Sequence, residues 1–354
     1  MQNRTVTPML KALLAAALFG ASAPLSKLLL GEITPTLMAS FLYLGSGIGL
    51  YLQSSFRSID KRFNDEARLT SDDWPWLMGA VSVGGIAAPI VLMFALKNTP
   101  ASTASLLLNF EGVATTVIAV VAFKEAVGKR IWMAVLLITT ASILLSWDSS
   151  GQWGFSLGAI GILSACVLWG IDNNFTRHVS AKDPLSIVTI KGLSAGTFSL
   201  ILSLILGFPL PSLKFVLLAM VLGYFSYGLS VVLFIRAMRE LGSARTSALF
   251  GTAPFIGVAL SWLLFRECQG TLFFFSLPVM IIGAIFLLRE DHEHPHKHEI
   301  TKHEHRHSHN DLHHTHSHSD SEMPKNVSHS HVHEHEFIIH EHQHTPDIYH
   351  RHSH

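Results

Sequence analysis

Seven residues in mostly apolar surroundings have the chemistry to hold a polar solute: Asn109, Glu111, Trp169, Asp172, Asn173, Asn174 and Lys191. Glu111 is the clearest. It lies midway along an apolar stretch, about ten residues or roughly 15 Å from either end of a helix. A charge there costs at least about 2.5–3.5 kcal/mol. A carboxylate kept at that depth binds an amine or carries a proton. Ser102, Ser105, Asn109, Gly112 and Thr116 fall on one helical stripe, widened by Glu111 and Thr115. Asp172 and Lys191 stand in successive apolar stretches, each roughly 5–9 Å below the same surface. The spacing predicts an ion pair. Such a pair serves either as a clasp between neighbouring helices or, with Asn173 or Asn174 beside Lys191, as a seat for a substrate carboxylate. Trp169, Phe110, Phe250 and Tyr227 are candidate walls for an apolar solute, although aromatics in helices more often pack.

The second concentration of chemistry is histidine. Of 23 histidines, 22 follow Asp291, and His178 is the exception. They come in alternating runs. The first holds His292, His294, His296 and His298; the second His303, His305, His307 and His309. His313, His314, His316 and His318 form a third, and His329, His331, His333 and His335 a fourth. Imidazoles at every second position can gather three or four to an ion and suit zinc, copper, nickel or cobalt. Glu293, Glu304 and Glu334 can fill remaining coordination positions. Low hydrophobicity predicts a disordered tail over 291–354. Its roles are a metal buffer, a metal-sensing gate or a tolerated repeat expansion. No cofactor is expected elsewhere. His178 reads as a solvated loop residue.

These residues must be positioned by membrane helices. Charged residues make up 14% of the chain, about half the share of a soluble domain. Ten stretches reach the roughly 20 apolar residues that cross a bilayer: 9–30, 34–54, 75–97, 101–123, 130–147, 154–175, 185–206, 213–236, 244–265 and 271–289. The Lys/Arg bias places the amino terminus in the cytoplasm. Arg57, Lys61, Arg62, Arg68, Lys124, Lys129 and Arg130 share its side, against Lys97, Lys214 and Arg266 opposite. Ten spans return the His-rich tail to the cytoplasm. Arg4, Lys11, Leu13–Phe19 and Ala21-Ser22-Ala23 also resemble a cleavable signal peptide, but its removal would break an internal symmetry.

That symmetry is a repeat. At an offset of 142, Ala101–Leu107 falls on Ser243–Leu249, and Phe123-Lys124-Glu125 on Phe265-Arg266-Glu267. Leu18-Phe19-Gly20 matches Leu168-Trp169-Gly170, and Gly45 and Gly49 match Gly192 and Gly196. Two five-span units over 1–147 and 148–290 follow, the second inverted because five is odd. Inverted repeats are a transporter signature. An apolar body joined to a polar, His-crowded tail excludes a strongly basic nucleic-acid binder. Two cysteines make no disulfide framework. There is no Gly-rich Lys-Ser/Thr loop for ATP and no nucleophile–base pair, so enzymatic activity is not expected.

Leu18-Phe19-Gly20, the stretch Leu106–Val113, the endings at Glu125 and Glu267, and Trp169-Gly170-Ile171-Asp172-Asn173-Asn174 with Lys191-Gly192 resemble the EamA-like branch of the drug/metabolite transporter superfamily. The resemblance covers about 9–289 and implies a ten-helix, all-α inverted-repeat permease of the plasma or bacterial inner membrane. It implies movement of small organic solutes, often outward, and transfers no particular substrate; export of solutes such as amino acids or metabolites is the expectation. The tail has no counterpart in that pattern. The competing expectations are transport of divalent metals or their chelates, and a membrane-tethered metal-binding protein that transports nothing.

Overall fold

The computed structural model describes residues 3–57, 69–123, 128–147, 156–179, 182–241, 246, 249–266, 269–288, 293–298, 302–307, 329–334 and 338–343. Lys124, Glu125, Arg245 and Glu267 lie outside them. So do His292, His309, His313, His314, His316, His318 and His335.

Among the described residues, eight helical stretches are long and apolar enough to cross a bilayer. They are Thr7–Leu29, Pro35–Ser55, Ser71–Lys97, Ala101–Phe123, Lys129–Ser146, Leu157–Val179, Pro184–Ile205 and Leu213–Ala237. The ninth and tenth expected spans correspond to shorter apolar helices, Ala253–Phe265 and Thr271–Phe286. The ninth is short because the chain turns at Gly251–Thr252, ahead of Ala253. Arg266, with φ 48°, ends it in the left-handed region.

Several spans are not continuous helices. The first breaks at Ala21, between Asn3–Gly20 and Ser22–Leu29. The fourth breaks at Leu108–Asn109, between Ala101–Leu107 and Phe110–Phe123. The third and eighth each contain a π-helical segment, Val81–Ala87 and Tyr224–Leu229. These segments begin 143 residues apart, as do the turns at Leu108 and Gly251. Pro24, Pro89 and Pro254 each lie in the first turn of the helix that follows such an irregularity. Lacking an N–H, each proline leaves one position of the ladder unfilled beside the irregularity.

Small residues let the backbones meet. A Cβ on Gly192 would lie 2.6 Å from the Gly47 nitrogen, so the second and seventh spans touch backbone to backbone. Ser40 Oγ adds a bond of 2.8 Å to the Gly196 carbonyl. In lipid, such packing and interhelical hydrogen bonds replace the hydrophobic drive between helices. At the far end, Lys27 Nζ donates to the carbonyls of Leu96 and Thr99 and so caps the third span.

Within the tail, regular structure is described at four places only. Four stretches are extended: β1 (Glu293–His298), β2 (Lys302–His307), β3 (His329–Glu334) and β4 (Ile338–Gln343). β1 pairs antiparallel with β4 and β2 with β3, the second register setting His303 opposite His333 and His305 opposite His331. The alternation of residue types that groups the imidazoles is also the period of a strand.

Candidate functional site

The site grows from the break in the fourth span. Asn109 Nδ2 turns back to the Leu106 carbonyl at 3.1 Å, and the Asn109 N–H reaches the same oxygen at 3.2 Å. The Glu111 N–H reaches Leu108 rather than Leu107. These tightened turns displace the regular ladder, a competition that asparagine side chains offer. The freed Leu107 carbonyl faces Cys166 Sγ at 3.7 Å. The stripe expected along one straight helix is therefore interrupted at Asn109. Glu111 stands in the first turn of a new helix, where the dipole favours a carboxylate.

The sixth span faces this turn. Asn173 Nδ2 donates to Glu111 Oε1 at 2.9 Å and to Thr115 Oγ1 at 3.1 Å. Asn174 is buried and donates to the carbonyls of Thr115 and Gly170 at 3.1 and 2.8 Å. It ties the fourth and sixth spans together, with both amide hydrogens committed. Asn173 is exposed although it lies within a span. Against lipid, an exposed amide beside a carboxylate would be costly at that depth.

Asp172 and Lys191 form the expected ion pair. Thr176 Oγ1 also donates to Asp172 at 3.1 Å. Asp172 is 4% exposed, and its carboxylate lies against the third span at Gly84. A Cβ there would come within 2.0 Å of Asp172 Oδ2, so the position requires glycine. The Gly84 carbonyl, in the π segment, accepts Tyr43 OH at 2.9 Å and Trp169 Nε1 at 3.0 Å. One carbonyl thus joins the second, third and sixth spans.

Six of the seven expected residues belong to this connected group. Asn109 does not reach it, because its amide is spent on Leu106. Tyr43 and Thr176 were missed by sequence reasoning. A tyrosine hydroxyl in an apolar helix needs a partner, which is a signal, but nothing in the sequence names Gly84. Tyr227 lies against Tyr43 and Phe19, with ring centroids at 5.5 and 6.0 Å, and Phe250 lies 5.4 Å from Phe19. Phe110 packs against the core. His178 is not in a loop. It occupies the last turn of the sixth span, stacks on Trp76 at 3.8 Å and meets Phe123 at 5.5 Å. Among the candidate tail ligands, those in β1, β2 and β3 are placed by backbone register alone.

The EamA-like transporter family matches residues 6–147 and 156–289. A protein of Methanothermobacter thermautotrophicus (strain Delta H), named "Uncharacterized transporter", is 26% identical over 291 residues, covering 77% of this chain and 83% of that protein. A solved crystal structure superposes with a TM-score of 0.59 at 16% identity, over 79% of this chain and 95% of its own, a likeness of fold. With helices that cross a membrane and two matched stretches covering most of the chain, the protein is a membrane transporter of the EamA-like family.

Proposed function

We propose that the protein is a secondary transporter of small organic solutes such as amino acids or metabolites. It works without ATP by alternating access and exports its solute across the plasma or bacterial inner membrane. Both termini face the cytoplasm, and the helices form two inverted five-span repeats. The family match in two stretches and the 143-residue spacing of the helix irregularities support that arrangement. The observation that carries the reading is Glu111, a carboxylate in a helix break, bonded to an exposed asparagine of the facing span. Discontinuous helices of this kind form the binding sites of many transporters.

Flux into proteoliposomes across a panel of amino acids and metabolites tests it. Glu111→Gln should insert normally and lose at least about tenfold in rate, as loss of an interaction worth 1.4 kcal/mol would give. Wild-type flux from well-inserted Glu111→Gln protein would remove Glu111 from the mechanism.

The His-rich tail supports a second reading, transport of zinc, nickel or cobalt or of their chelates, with the tail collecting ions. In either reading the tail binds transition metals, copper included. Removing residues 291–354 separates the two. Solute flux survives under the first, and metal tolerance is lost under the second.

A further inference from the structure

We infer that the transported solute is an organic cation, a protonated amine on an aromatic or alkyl body, whose nitrogen takes the place of Asn173 at Glu111. The inference rests on the permease reading and names its substrate class. Three ionisable side chains converge: Asp172, which holds Lys191, adjoins Asn173, which holds Glu111. Lys191 is committed to Asp172. Taking it for a solute carboxylate would strand a buried aspartate, and breaking a buried pair is strongly unfavourable. Among the described residues no lysine or arginine pairs with Glu111, whose carboxylate accepts from one neutral amide. With all three groups ionised the cluster carries one net negative charge. A carboxylate withdrawn from water is balanced by a proton or by a counter-charge, and a cationic solute brings the second.

The surroundings favour the same class. Tyr43 shares the Gly84 carbonyl with Trp169, beside the Asp172 carboxylate, and Tyr227 packs on Tyr43. Rings at such a site attract cations through their faces. Asn173 is exposed and shares its Nδ2 between Glu111 and Thr115, so it can yield its place without leaving a buried group unpaired. Asn174 cannot, since its donors hold two spans together.

The test uses purified full-length protein in lipid nanodiscs and four probes that share one body: phenethylamine, phenylalanine, 3-phenylpropionate and 2-phenylethanol. Calorimetry should show phenethylamine binding at least about tenfold tighter than each of the others. Glu111→Gln should lose at least that factor while staying monodisperse, and Glu111→Asp should recover part of it. Equal or tighter binding of the zwitterion or the anion overturns the inference. So does amine binding that survives Glu111→Gln, and so does failure of the amine to bind folded protein. Flux of a zwitterion or anion in proteoliposomes would leave the permease standing; absence of flux for every solute would sink the permease itself.

Discussion

At the scale of residues, the Asp172–Lys191 pair and Glu111 differ in how fully they are compensated. Asp172 has a cation and a hydroxyl, whereas Glu111 has an amide. Asp172→Asn should therefore act on stability first, by up to about 3 kcal/mol, because it leaves the part-buried Lys191 without its counter-charge. Asp172→Asn/Lys191→Met should recover much of that loss, which thermal unfolding in detergent would register. Insertion depth made this pair legible in the sequence, since two opposite charges at one level in adjacent spans have few other choices. Glu111 was legible for the same reason. Tyr43 was not, because its acceptor lies 41 residues away in another span. His178 was misread as a loop residue because the sixth helix runs to Val179, beyond the apolar stretch that announces it.

At the scale of elements, hydropathy located the spans but not their internal geometry. Apolarity measures what the side chains offer to lipid and is blind to which carbonyl each N–H selects. The π segments and the break at Leu108–Asn109 are therefore invisible in it, although the nearby prolines mark where continuity is weak. Asn109→Leu tests the break. Without the side-chain bond to Leu106, regular bonding becomes more competitive and the fourth span straightens. Stability should fall by about 0.5–1.5 kcal/mol, the net worth of the side-chain hydrogen bond removed. Flux should fall several-fold, since Glu111 would rotate away from Asn173. Unchanged flux would mean that the turn owes nothing to Asn109.

At the scale of the whole molecule, the tail and the membrane body obey different chemistry. Tail ligands bind metal only as neutral imidazoles, so zinc binding by the full chain should weaken as pH falls through about 6.5. Titration calorimetry between pH 7.5 and 5.5 would check this, and pH-independent binding would point away from histidine. The body offers a subtler consequence. Gly85 and Gly228 occupy equivalent places in the two π segments, 143 residues apart. An added methyl would press on Ala195 at 2.9 Å in one case and on Ser46 at 3.2 Å in the other. If the halves are antiparallel copies, these twin joints act as counterweights: Gly85→Ala and Gly228→Ala would tilt the resting population towards opposite faces of the bilayer. Thiol-reagent access from each side would reveal mirror-image biases, and the double variant would return the balance to the middle.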